Sequence, residues 1–159
     1  MEKGSTGDWV MLAYRLPREP STPRIALWRR LKRLGVVQLL DGLVALPADA
    51  KTREQLEWAA DEVTDAGGDA SIWIAQPATA AEERALAARM AAAVAADYQA
   101  VIEAAQAATR GDAAARRRTL RRLRRTMHAI ESRDFFPPSQ RERARAAVER
   151  LEELVEVAE

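Results

Sequence analysis

Between Trp9 and Ala75, four short apolar runs alternate with two helix-patterned stretches, and that order constrains the fold more than any other feature of the chain. The run from Trp9 to Leu16 is apolar and stops at Pro17, as a buried strand does. Ser21-Thr22-Pro23 then sets a hydroxyl before a proline at the first helical position. The helix runs to Gly35, a favoured stop, with Ile25, Leu27, Trp28, Leu31 and Leu34 as its apolar side. Asp41-Gly42 between two apolar runs predicts a hairpin through a type I′ turn, which needs positive φ at both central residues. A single strand with a glycine bulge at Gly42 is the alternative. Thr52 with Gln55 reads as a capping box for a helix carrying Leu56, Ala60 and Val63 on one face and ending at Gly67-Gly68. The run from Ala70 to Ala75 completes a β-α-β-β-α-β order, the ferredoxin-like split βαβ pattern.

Past Pro77 every segment reads as helix. Thr79 and Glu82 cap a long alanine-rich helix to about Thr109, with Leu86, Met90, Val94, Tyr98 and Val101 as its stripe. Gly111-Asp112 starts another helix, to about Arg133, and Phe135-Phe136-Pro137-Pro138 forms a rigid connection. Ser139 and Glu142 cap a last helix with Ala144, Val148, Leu151 and Val155 inward. The expected fold class is α+β: a ferredoxin-like unit over residues 1–77, followed by an antiparallel three-helix extension over 78–159 that packs on it. The reason for packing is that the first and fourth strands are apolar on both faces, while two helices cover only one. The C-terminal helices are the favoured cover for the other face; a second subunit, giving a homodimer, is the alternative.

Composition then removes most function classes. At 159 residues the chain can bury a core without staples, and it has no cysteine, so disulfides and thiolate metal sites are excluded. The single histidine, His128, cannot build a multi-histidine site and reads as a solvated or structural residue. With no phosphate loop, nucleophile elbow or recognisable carboxylate pair, no catalytic residue, metal or cofactor is expected, and the chain is read as a non-enzyme. No apolar run approaches the ~18 residues of a membrane span, and Met1–Asp8 is too polar for a signal peptide. The expected compartment is the cytoplasm.

The net charge is only +1, with 10 basic and 11 acidic side chains in residues 1–77 against 15 and 13 in 78–159, so only local clusters argue for an anionic partner. The first cluster comprises Arg15, Arg18, Arg24, Arg29, Arg30, Lys32 and Arg33. On a helical wheel Arg29, Arg30 and Arg33 share the outer face, with Lys32 at its border, beside a helix N-terminus that favours anions. It reads either as an ordinary solvated face or as a surface for phosphates or oxyanions. The second cluster places seven arginines within residues 116–125. Arg117, Arg118, Arg121, Arg122 and Arg125 lie opposite the Leu120, Leu123, Met127 and Ile130 seam. Glu149, Glu152, Glu153 and Glu156 offer partners, but exposed pairs are worth only about 0–1 kcal/mol each. Pairing therefore explains this density poorly, and a basic helical face is an electrostatic footprint of nucleic-acid contact. Trp58 falls about 160° from the apolar face of its helix; it reads either as an interface residue or as a ring laid along a neighbouring segment, and the second reading is favoured.

These segments also carry a resemblance. YRLPREPSTPRIALWRRLKRLGVV (Tyr14–Val37) resembles the N-terminal region of the ChrB family of bacterial chromate-resistance regulators. LLDGLVALPA (Leu39–Ala48), REQLEWAADEV (Arg53–Val63) and ESRDFFPPSQRERA (Glu131–Ala144) support it over nearly the whole chain. The resemblance implies a transcriptional regulator of a chromate-efflux operon, with promoter DNA as partner, chromate as effector and the Arg15–Arg33 segment as a contact. The chain ends at Glu159 without the C-terminal chromate-resistance domain of the long form, so a stand-alone N-terminal region is expected. A non-DNA-binding oxyanion sensor or dimeric scaffold is the alternative. More distantly, the strand order and Tyr14-Arg15 look like the small CRISPR-adaptation nuclease fold and the middle domain of PaaX-type repressors. In that nuclease fold an aspartate ends the first strand; Arg15 in its place repels Mg²⁺, so no nuclease is expected.

Overall fold

The computed structural model describes residues 7–158, so the leader reading of Met1–Asp8 falls mostly outside it. The elements are β1 (Trp9–Arg15), α1 (Thr22–Leu34), β2 (Val37–Leu40), β3 (Leu43–Pro47), α2 (Ala50–Asp65), β4 (Asp69–Ala75), α3 (Ala80–Ala108), α4 (Ala113–Ser132) and α5 (Gln140–Val157). The sheet is antiparallel in the order β2-β3-β1-β4, the split βαβ arrangement that the sequence implies. The chain divides into two compact units, one ending at Arg89 and the other beginning at Met90.

In the first unit, register fixes the core. Val10 stands opposite Leu46 and Ile74, and Leu12 opposite Val44 and Ile72, so these side chains share one face of the sheet. Leu27 and Leu31 of α1 and Leu56, Ala59 and Val63 of α2 are buried with Val10, Leu12, Val44 and Leu46. Each fully buried large aliphatic contributes about 1.5–3 kcal/mol. On the opposite face, Met11 and Ala45 line a cavity of about 460 Å³ whose far wall includes Ala85 and Leu86 of α3. Arg89 Nη2 ties that part of α3 to the Gln38 carbonyl at 2.6 Å.

Local chemistry departs from expectation at the turns and caps. The hairpin forms across Asp41-Gly42, but only Gly42 has positive φ, at 76°, so the turn is not type I′. A register shift between Gln38 and Leu40 accommodates the difference. The Gly42 carbonyl accepts from Tyr14 N–H at 2.8 Å, and a Cβ at Gly42 would collide with the Tyr14 carbonyl oxygen. The cap of α2 is Asp49, with Thr52 at N3 as its partner: Thr52 N–H donates to Asp49 Oδ1 at 2.7 Å, and Asp49 N–H donates to Thr52 Oγ1 at 2.9 Å. Thr79 does cap α3, accepting from Glu82 N–H at 3.1 Å. Ser21 and Ser139 do not cap with their side chains; both have αR backbones rather than the extended geometry that aims a cap hydroxyl.

The second unit is built from the rest of α3 with α4 and α5. Val94, Tyr98, Val101, Ile102 and Ala105 pack with Leu120, Leu123, Met127 and Ile130, and with Ala144, Leu151 and Val155. By length and hydropathy alone α3 passes for a membrane span, closer to one than the sequence reading allowed, yet these large side chains sit in the core. The Glu131–Ala144 segment is held by polar bonds. Tyr98 donates to Asp134 Oδ2 at 2.7 Å, Arg141 Nη1 lies 3.6 Å from the same oxygen, and Arg133 bonds Asp97 at 3.0 Å. Burial pushes the Tyr98 phenol well above its usual range, and the hydrogen bond and charge of Asp134 push it further.

Candidate functional site

The helical period sorts the arginines of α4. Because Leu120, Leu123, Met127 and Ile130 are buried, residues 117, 118, 121, 122 and 125 turn outward, and all five of those arginines are exposed. Arg124 pairs with Glu152, and Arg116 donates to the Thr109 carbonyl at 2.8 Å. Among the described residues no carboxylate pairs with Arg117, Arg118, Arg121, Arg122 or Arg125, and Glu149, Glu153 and Glu156 form no ion pair. The one acidic residue of α4, Glu131, is bonded by Arg145 at 3.1 Å. Arg117, Arg121 and Arg125 form a row about 12 Å long at helical rise, with Arg118 and Arg122 beside it. His128 is exposed on the same helix.

The first cluster is divided. A groove of about 690 Å³ opens where the end of β1, the following loop, α1 and the β2–β3 turn meet. Arg15, Arg18, Arg24 and Arg29 line it, together with Tyr14, Ile25, Trp28 and Asp41. Arg30, Lys32 and Arg33 do not, so Arg29, Arg30 and Arg33 do not act as one face. Arg30 turns to α2 and pairs with Glu62 at 3.2 Å, Lys32 Nζ lies 6.0 Å from the centre of the Trp28 ring, and Arg33 is exposed. Arg15 bonds Asp69 at 3.0 Å, but both side chains are solvated and the pair is worth about 0–1 kcal/mol at most. Burial raises the Tyr14 phenol above its usual range, with the Arg24 charge opposing and the Asp41 charge adding to the shift. Among the described residues no three His, Asp or Glu side chains gather as a metal cluster.

Three groove residues are not legible as site candidates in the sequence. The apolar period puts Ile25 and Trp28 on the core side of α1, but the core takes Leu27 and Leu31, and Ile25 is 49% exposed. The spacing of Arg24 and Trp28, one turn apart, is the available signal. Asp41 reaches the groove only because the hairpin folds back beside β1, which no local pattern encodes. Trp58 is 58% exposed over a shallow depression shared with Arg30 and Glu62, instead of lying along a neighbour.

A family model described as Protein ChrB, N-terminal, matches residues 24–110, a span that includes Arg24, Trp28, Arg29 and Asp41 of the groove. A curated relative, Protein ChrB of Cupriavidus metallidurans, is 33% identical over 135 residues, covering 81% of this chain and 40% of the relative. The chain thus spans well under two thirds of that relative's length. No solved structure matches the chain significantly.

Proposed function

The chain belongs to the family of the N-terminal region of ChrB, and from that premise we propose that it is a chromate-resistance regulator that acts by binding promoter DNA. The observation that supports this is the arginine face of α4, exposed and without carboxylate partners among the described residues. Like charges four residues apart repel by about 0.2–0.5 kcal/mol per pair, so this face opposes the helix that carries it. Duplex DNA, with a phosphate charge every ~1.7 Å of axis, relieves the repulsion and gains entropy from released counterions. Such contacts position the protein and set affinity, while sequence is read elsewhere. Chromate is the proposed effector, the cytoplasm the proposed compartment, and no chemical step is assigned to the chain.

The test is a mobility shift with the DNA upstream of the protein's own gene, in the wild type and in Arg117→Ala/Arg121→Ala/Arg125→Ala. The log–log salt slope is expected to fall by about 0.9 for each phosphate that the variant no longer neutralises, approaching ~2.7 for all three. A wild type that fails to bind duplex at moderate salt, or an unchanged slope in the variant, sinks the proposal. Added chromate is expected to release the complex; an unaltered shift removes chromate as effector. The same gels in Mg²⁺ are expected to show uncut DNA.

A second reading, an oxyanion sensor that does not bind DNA, is favoured by one observation: Arg18, Arg24 and Arg29 converge on a single groove. Under it, chromate binds the wild type in the absence of DNA and the α4 variant binds it equally well.

A further inference from the structure

We infer that the groove beside α1 is a nucleotide site, taking a phosphate-bearing base, free or in an unpaired strand, with the phosphate against Arg18, Arg24 and Arg29 and the base against Trp28 and Ile25. This goes beyond the duplex contact proposed for α4 and stands on different residues in the other compact unit.

Size is the first argument. The groove encloses about 690 Å³, within the roughly 300–1,000 Å³ of pockets that hold ligands of many atoms, and far more than one four-oxygen anion fills. Its lining is the second. A bare oxyanion gains nothing from apolar surface, yet α1 leaves Ile25 49% exposed while Leu27, two residues on, is 1% exposed. Trp28 stands one turn from Ile25 and lines the same groove. An exposed isoleucine and a half-buried tryptophan, flanked by arginines, offer the combination that single-stranded nucleic acid requires: a cationic track for phosphate and an apolar, partly aromatic surface for the base. The third argument is Asp41, a carboxylate that the β2–β3 turn brings into the same lining. It repels a small dianion free to approach from any side, whereas a nucleotide that directs its phosphate to the arginines can present base N–H groups to it.

The test is binding of labelled (dT)8 and of dTMP to the full chain, with orthophosphate and chromate as competitors. Trp28→Ala is expected to weaken (dT)8 about ten-fold, within the range seen for losing one stacked base, and Trp28→Phe to keep most of the affinity. Arg24→Gln should lower the salt slope by about 0.7. Circular dichroism confirms that each variant is folded; if Trp28→Ala is not, Trp28→Phe and Arg24→Gln decide. Saturable dTMP binding as tight as (dT)8 identifies a free nucleotide as the ligand, and much tighter (dT)8 an unpaired strand. Absence of binding to both probes overturns the inference, as does indifference of folded variants to Trp28 and Arg24. Arg117→Ala/Arg121→Ala/Arg125→Ala separates the two sites: it should lose duplex binding and keep dTMP. If it loses both while the groove variants lose neither, the groove is not the site.

Discussion

Replacing Arg117, Arg121 and Arg125 together by alanine should make the protein more stable at low salt, not less. The substitution removes two like-charge pairs at four residues, Arg117–Arg121 and Arg121–Arg125, and three at three residues, Arg118–Arg121, Arg121–Arg124 and Arg122–Arg125. At about 0.2–0.5 kcal/mol each, five such pairs amount to roughly 1–2.5 kcal/mol. Solvation of these exposed side chains favours the lower end, and alanine's helix propensity adds a few tenths. None of the three replaced arginines has an ion-pair partner among the described residues, so no attraction is removed that would offset the gain. Urea unfolding followed by circular dichroism, at low salt and at 1 M NaCl, measures the effect. The gain should shrink at 1 M, where the screening length falls to about 3 Å. Arg124→Ala is the control: it loses the Glu152 pair and should be neutral or slightly destabilised. If the triple variant is instead less stable by 1 kcal/mol or more, the arginine stems support the fold and the face is structural. A gain in stability combined with a loss of DNA binding would mark a face that costs the fold something and is kept for its partner.

Two further outcomes follow from buried polar geometry. Tyr98→Phe removes the 2.7 Å bond to buried Asp134, whose Oδ1 has no hydrogen-bond partner among the described residues, and should cost about 1.5–3 kcal/mol at neutral pH by urea unfolding. Because the folded-state phenol titrates above its unfolded value of about 10, its stabilisation is intact below pH 10 and lost as pH rises beyond it, so the wild type and the variant should converge in alkali; a constant difference would refute the linkage. Gly42→Ala forces a Cβ against the Tyr14 carbonyl at a φ of 76° and should cost more than about 1 kcal/mol, while an alanine variant as stable as the wild type would refute the close approach.

The element order is legible in the sequence because apolar period and punctuation are local signals. The strands at Trp9–Arg15 and Asp69–Ala75, the Asp41-Gly42 reversal and the helix restart at Asp112 all fall where those signals put them. What the sequence misleads on depends on backbone geometry that a residue type does not fix. A serine before a helix suggests a cap, but Ser21 and Ser139 have αR backbones, while Asp49, with an extended backbone, takes the role that the pattern assigns to Thr52. The groove is half legible. Its arginines announce themselves by charge, whereas Ile25 and Trp28 merge into an apolar side of α1 that the sheet never covers in full.

Both basic surfaces are defined by the neighbours of the arginines more than by the arginines themselves. In α4 the buried seam at Leu120, Leu123, Met127 and Ile130 sets which guanidiniums face outward. Arg116 and Arg124, in the same run, are turned to a backbone carbonyl and to Glu152, so density along the chain overstates the free charge. In α1 the same logic divides adjacent residues: Arg29 lines the groove, and Arg30, one step round the helix, is turned to Glu62 of α2. An arginine with a carboxylate already in place is a poor candidate for a phosphate, because the new contact must first break the old one. The residues worth mutating for function are therefore Arg18, Arg24 and Arg29 in one unit, and Arg117, Arg118, Arg121, Arg122 and Arg125 in the other. Arg30, Arg124, Arg133 and Arg145, equally basic in sequence, should affect the fold first.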